Sequence, residues 1–262
     1  MRLTGKAASG LAGRLAGACL LTVGIACVSG ISRADEIDDL LTNRQNNFAH
    51  VKKYKAEYTV ETERPDAPQA SNLPKKKMRY VYTLTRRNRN HPDPLRRYDL
   101  DMDIQEPARM HFRIVDGQFS ILMASGKWVP KNLPDSAKQF LNDLPERNAT
   151  DVPSQRRYYD IKRHKEKDSF WGNRKGLEFV PKGKAKLYAR RVESVDADTG
   201  QAMDTELYDD NGKKTLHIKV NKMGKHNGVF IAEDMQSEAP DVPGMGRVIR
   251  KTKVENIEVD TE

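Results

Sequence analysis

The sequence predicts a mainly β protein with few helices, built as a curved antiparallel sheet that forms an incomplete, half-open barrel covered by helices. Three observations carry this. Apolar residues fall on alternate positions in segment after segment from Tyr54 onwards, and charged residues fill the positions between them. Turn pairs such as Asp116-Gly117 and Asn211-Gly212 recur between those segments at roughly 10-residue spacing. Helical periodicity is confined to a short stretch near the start and a second short stretch in the middle.

The first residues address the compartment. Arg2, Lys6 and Arg14 precede an apolar run from Leu15 to Val28, and Ser32-Arg33-Ala34 offers a signal-peptidase site. Residues 1–34 are therefore expected to be a cleaved signal peptide, leaving 35–262 as a single domain in the periplasm. Retention of the run as a membrane anchor is the rival reading. It is rich in Gly and Ala and shorter than the roughly 20 apolar residues that span a bilayer. Cys19 and Cys27 both lie inside this segment, so the remaining 228 residues contain no thiol, disulfide or thiolate metal site. Neither cysteine follows a lipobox triplet, which favours soluble export over lipid anchoring. Losing the four basic residues of the segment lowers the formal charge from +9 to +5. The remaining 42 basic and 37 acidic residues are interspersed, so the surface speaks for solubility and against nucleic acid.

Asp35 to Phe48 reads as a helix: Ile37, Leu40, Leu41 and Phe48 recur near helical spacing, and four acids occupy the first turns. Strands follow at Tyr54–Val60, Met78–Leu84 and Tyr98–Ile104, the last with Asp99, Asp101 and Asp103 on its opposite side. Met110 to Ile114 and Phe119 to Met123 form a hairpin about Asp116-Gly117, after which Gly126 and Pro130 are expected to stop the sheet. Asn132 to Gly176 is the least strand-like part. Within it, Asp135 to Leu144 fits a short lid helix presenting Phe140, Leu141 and Leu144, and Arg147–Ser154 and Arg163–Asp168 read as surface loop. Strands resume at Leu177, Leu187–Val195, Met203–Leu207, Leu216–Val220, Val229–Ala232 and Val248–Val259, for a total of ten or eleven. A closed, lipocalin-like barrel is the alternative, since it shows the same alternation.

The order of pieces resembles the outer-membrane lipoprotein-sorting superfamily, which includes LolA, LolB and RseB. The likeness lies in a helix running into FAHVKKYKAEY (48–58), in the strand-turn-strand FRIVDGQFSIL (112–122), and in LEFVPK (177–182) followed by VDADTG (195–200) and ELYDDNGK (206–213). It covers nearly the whole of residues 35–262. It implies an unclosed barrel with helical cover whose interior accepts acyl chains, and an arginine at the cavity mouth for which Arg86, Arg87, Arg97, Arg109 and Arg113 are the candidates. The stretch from Arg86 to Arg97, with Pro92 and Pro94, is more basic than a typical strand pair of such carriers and is a candidate approach to anionic head groups or a partner.

Holding a lipid requires a dry surface rather than a nucleophile, because apolar burial at about 0.8 kcal/mol per methylene replaces what the chain loses on leaving a bilayer. Met78, Tyr82, Leu100, Met102, Phe112, Ile114, Phe119, Ile121 and Met123 are the expected lining, each with ordinary core packing as its competing role. Trp128 and Trp171 fit a rim or membrane-facing edge, or packing under a loop. Phe140 and Leu141 fit the lid. Asp99, Asp101 and Asp103 place three carboxylates on one strand face, which suits calcium but more commonly a solvated outer face. The six histidines follow no HxH or HExxH spacing, and no Gly-x-Ser-x-Gly elbow is present, so no catalytic residue, metal or cofactor is expected. Two functions follow from these readings, with an enzyme on the same scaffold as a third and lesser alternative. One is a periplasmic carrier of lipid or lipoprotein acyl chains working between an inner-membrane exporter and an outer-membrane acceptor. The other is an envelope sensor or interaction protein, RseB-like, using the same sheet to bind lipid or a membrane protein.

Overall fold

The computed structural model describes residues 36–65, 76–88, 96–132, 152–169, 172–183, 188–242 and 246–262. The expected signal peptide, the Asp135–Leu144 lid segment with Phe140 and Leu141, and Trp171 lie outside the described residues.

Helix α1 (Glu36–Ala49) starts with Glu36, Asp38 and Asp39 in its first turn, where carboxylates meet the positive end of the helix dipole. It presents Ile37, Leu40, Leu41 and Phe48 to the core. The described residues then form one 13-stranded antiparallel sheet. Its first half comprises β1 (Val51–Glu63), β2 (Lys76–Arg86), β3 (Tyr98–Glu106), β4 (Met110–Val115), β5 (Gln118–Leu122) and β6 (Trp128–Pro130). A short helix α2 (Val152–Tyr158) leads to β7 (Tyr159–Arg163), β8 (Arg174–Pro181), β9 (Arg190–Asp196), β10 (Ala202–Tyr208), β11 (Lys214–His226), β12 (Val229–Val242) and β13 (Gly246–Thr261).

The strand order is β6-β5-β4-β3-β2-β1-β13-β12-β11-β10-β9-β8-β7. Every neighbour in the sheet is thus a neighbour in sequence, except that β1 pairs with β13 in the middle. This is an up-and-down ring cut between β6 and β7, the two strands joined by residues 131–158. The closed-barrel alternative is thereby excluded, and the half-open sheet is the observed architecture.

Two apolar clusters divide the inner face. In one, Ile37, Leu40 and Leu41 of α1 pack on Tyr159 and Ile161 of β7, Leu177 and Phe179 of β8, Tyr188, and Val195 of β9. In the other, Phe48 joins Tyr54, Ala56 and Tyr58 of β1 with Tyr80 and Tyr82 of β2, Met102 and Ile104 of β3, and Ile231, Met235 and Val254 from β12 and β13. Polar bonds fix the helix between them. The Asn47 amide donates to the Phe230 carbonyl and accepts from its N–H at 2.8 and 2.7 Å, completing β12 where its pairing with β13 has not yet begun.

The sheet is longer than the sequence reading expected. Pro130 lies inside β6 rather than ending the sheet before it, because an edge strand tolerates a residue without an N–H donor. Strand β7 falls within the stretch expected to be least strand-like. Only Tyr159 and Ile161 alternate there, too short a run to stand out among charged neighbours. The expected loop Arg147–Ser154 ends in the first turn of α2, and Arg163–Asp168 is the end of β7 plus a single 3-10 turn at Lys165–Lys167. That turn lies flat on Gly176, where a Cβ would stand 2.0 Å from the His164 carbonyl oxygen. Strands β11 to β13 run to 13, 14 and 16 residues because they continue as polar ribbon beyond their apolar ends.

Candidate functional site

Strand register aligns the inner-face side chains into rows that cross the first half of the sheet. One row is Tyr54, Leu84, Leu100, Ile114 and Phe119, from β1 to β5. The next is Ala56, Tyr82, Met102, Phe112, Ile121 and Val129, from β1 to β6. At about 4.8 Å per strand each row spans roughly 19 to 24 Å. Single-residue alternation along each strand supplies the apolar face, and the antiparallel register lines the faces up.

Burial changes along the rows. Near β1 and β2 the space is filled by tyrosines. Tyr58 and Tyr80 stack with ring centroids 4.9 Å apart and planes within 3°, Tyr82 meets Tyr58 edge-on at 6.1 Å, and the hydroxyls of Tyr54 and Tyr58 lie 2.8 Å apart. Burial holds the Tyr58 phenol well above its ordinary range, so it is a neutral hydrogen-bonding group at any physiological pH. From β3 outward, Leu100, Met110, Phe112, Phe119 and Ile121 are half-buried. Helix α1 covers the β7–β9 half of the sheet, and no described element covers this end.

The residues expected to line a lipid site therefore separate. Tyr82, Met102 and Ile114 are core residues. Met78, Leu100, Phe112, Phe119 and Ile121 share the inner face and remain partly accessible. Met123 is 44% exposed beyond the end of β5. Trp128 stands apart: it is on edge strand β6 but on the outer face, opposite Leu122, with the Arg113 guanidinium 4.1 Å from its ring and His111 against its edge.

Among the candidate arginines, Arg86 occupies the inner face. Arg87 pairs with Asp99 and Arg113 lies on Trp128. Arg86 continues the Met78, Tyr80, Tyr82, Leu84 alternation by one step, a parity signal available in the sequence. Its Nη1 and Nη2 donate to the carbonyls of Ala49 and Phe48 at 3.0 and 2.9 Å, satisfying the open C-terminus of α1. It borders a small depression, with about 10 Å³ of room for a water-sized group, lined by Phe48, Val51, Lys52, Tyr54, Leu84, Arg86 and Tyr98.

Two charge clusters complete the picture. On the inner face, buried Glu193 of β9 bridges Arg44 of α1 at 2.7 Å and Arg191 at 3.2 Å. Burial pushes its carboxyl up, yet the two guanidiniums outweigh this and hold it below its usual value. On the outer face Asp204, Glu206 and His217 converge within 4.8 Å, a spacing that suits a metal ion. Lys167 from the 3-10 turn reaches both carboxylates at 3.3 and 2.9 Å, and Lys214 reaches Glu206 at 2.5 Å. These ammonium groups supply the positive charge a metal would bring. Against the upward push of burial, hydrogen bonds from Lys214, Lys167 and Tyr208 lower the Glu206 carboxyl to about 2. The aspartates considered for calcium are divided between partners, Asp99 with Arg87 and Asp101 with His111.

No family model and no curated protein matches this sequence. Solved structures do resemble it. A LolA superfamily protein from Nitrosomonas europaea is 11% identical, with 87% of this chain and 96% of that chain covered and a TM-score of 0.51. A DUF1329 family protein from Desulfovibrio piger (16% identical, 85% and 91% covered) and an outer membrane lipoprotein-sorting protein domain from Vibrio parahaemolyticus (14%, 86% and 92%) both have TM-scores of 0.48. Together with the unclosed row of 13 strands and the helix lying on one half of their inner face, the first of these comparisons shows that the chain has the LolA-like half-barrel fold.

Proposed function

We propose that this chain is an exported envelope protein, cleaved after residue 34, that binds acyl chains of lipids or lipoproteins and passes them from an inner-membrane donor to an outer-membrane acceptor. The observation that carries this reading is the pair of apolar rows left half-open across β3 to β6, on the face that α1 seals at the other end of the sheet. Each methylene laid on such a surface contributes about 0.8 kcal/mol, so a chain contacting only part of the rows is still held. A binding function also agrees with the charge clusters at Glu193 and Glu206, whose bridges fasten elements to one another.

A sensor that reads envelope lipid is the second reading. The tyrosine packing at β1 and β2 favours it, because the space remaining there holds about one water-sized group, far below a pocket for a whole small molecule. Mass spectrometry of protein extracted from the envelope under non-denaturing conditions tests both. Co-purifying lipid is expected, and a ligand-free protein that also takes up no lipid from vesicles overturns the proposal. Transfer of that lipid to acceptor vesicles is expected of a carrier and not of a sensor.

A further inference from the structure

Arg86 carries a feature that its role at the end of α1 leaves unused. Its side chain is only 5% exposed, and while Nη1 and Nη2 donate to the helix carbonyls, the buried Nε–H has no hydrogen-bond partner among the described residues. The neighbouring Glu262 carboxylate stands 3.8 Å from Nη1 and does not engage Nε. A buried donor without an acceptor is destabilising, and natural structures rarely retain one without a use. This donor belongs to a residue bordering the small depression, whose other walls are Phe48, Val51, Tyr54, Leu84 and Tyr98, with Lys52 alongside. The room there is about that of one water molecule. It suits a single oxygen of a polar head, the rest of which stands over the open mouth of the depression.

The register supplies the rest. Tyr54 and Leu84, two walls of the depression, are the first members of the row that continues through Leu100, Ile114 and Phe119. The row thus starts beside the positive charge, buried at Tyr54 and Leu84, and becomes half-open at Leu100 and Phe119 on its way to β5.

We infer that the depression beside Arg86 is a head-group site for an oxyanion, a carboxylate or phosphate attached to an alkyl chain, with the chain lying along the Leu100–Phe119 row. This rests on the acyl-binding reading and adds polarity to it: the anionic end is held at α1 and the tail points to the open edge of the sheet. Arginine suits the task because its planar fork keeps two donors on the helix while the third faces a ligand oxygen, an arrangement that lysine cannot reproduce.

Palmitate, hexadecyl phosphate and hexadecanol share one chain length and differ in the head, so titrating all three into the unmodified protein tests the inference without perturbing Arg86. The two anions are expected to bind at least tenfold more tightly than the alcohol, with the difference shrinking as salt rises. The Arg86 Nε–H resonance is expected to move on binding either anion and to stay in place with hexadecanol. Inorganic phosphate alone, which lacks the chain, is expected to bind at least tenfold more weakly than hexadecyl phosphate. Equal affinity for all three amphiphiles with a stationary Nε–H signal overturns the head-group site and leaves acyl binding intact. Binding of none of them overturns both. Equal affinity for free phosphate and hexadecyl phosphate overturns the coupling of head site to apolar row.

Discussion

Replacing Glu193 by alanine tests how α1 is held on the sheet. The carboxylate is buried between Arg44 of the helix at 2.7 Å and Arg191 of its own strand at 3.2 Å, and the Arg191 guanidinium lies 4.0 Å from the Phe179 ring centre. Truncation leaves two guanidiniums facing each other in a site where each is about one-tenth exposed. Removing one partner of a buried ion pair costs about 3 to 5 kcal/mol, mostly through the charge left without compensation. For a chain of this size each kcal/mol lowers Tm by about 2 to 4 °C, so a fall on the order of 10 °C is expected. The assay is urea denaturation followed by circular dichroism, with Glu193→Gln as a control that keeps the volume and an acceptor while losing the charge. The control is expected to fall between the wild type and Glu193→Ala. A loss below about 1 kcal/mol for the alanine variant, the size of an exposed surface pair, refutes the claim that this trio fastens the helix.

The Glu206 carboxyl, lowered from 4.5 to about 2, binds protons less readily in the folded state than in the unfolded one. Its stabilisation is therefore present above about pH 4.5 and lost as pH falls toward 2, and the stability gap between wild type and Glu206→Gln is expected to close over that interval. Gly200 has φ +66° and a Cβ there would stand 2.1 Å from the Leu40 carbonyl oxygen, whereas Gly212, φ +76°, has nothing within 4 Å. Gly200→Ala is expected to lose about 3 kcal/mol or more and Gly212→Ala only the 1 to 2 kcal/mol of a left-handed alanine, measured by the same unfolding curves. Ile121→Asp, on the half-buried row, is expected to weaken palmitate binding at least tenfold while shifting Tm by only a few degrees, whereas Tyr82→Ala, in the core, costs about 3 to 5 kcal/mol of stability.

Much of this architecture was legible in the residues because its driving signal is local. Alternation in Tyr54–Val60, Met78–Leu84 and Tyr98–Ile104 gave strands with the correct inward face, and Asp116-Gly117, observed with φ of 50° and 77°, marked a tight hairpin turn. What local pattern cannot convey is which strands meet. The pairing of β1 with β13 joins residues some 200 positions apart, and it is this pairing that places the cut between β6 and β7. The same limit applies to individual side chains. Parity placed Leu100, Phe112, Phe119 and Ile121 on the inner face correctly, but not the burial of Tyr82, Met102 and Ile114, which depends on neighbouring strands and on α1. Trp128 was judged by residue type alone. Its parity with Leu122, set by a register that only the β5–β6 pairing fixes, sends it to the outer face. Arg86 was one of five candidate arginines, and its place on the inner face follows from continuing the alternation of β2, while its bonds to the end of α1 depend on tertiary packing.

The account's central claim is that an acyl chain lies on the half-open inner face of β3 to β6. Methyl-labelled protein titrated with palmitate reads this residue by residue through intermolecular nuclear Overhauser effects. Contacts from Leu100 and Ile121 to the chain, with none from Leu122 on the opposite face of β5, are the expected result. Contacts confined to Leu122 or to the exposed Met123, or none to any inner-face methyl at saturating palmitate, contradict it.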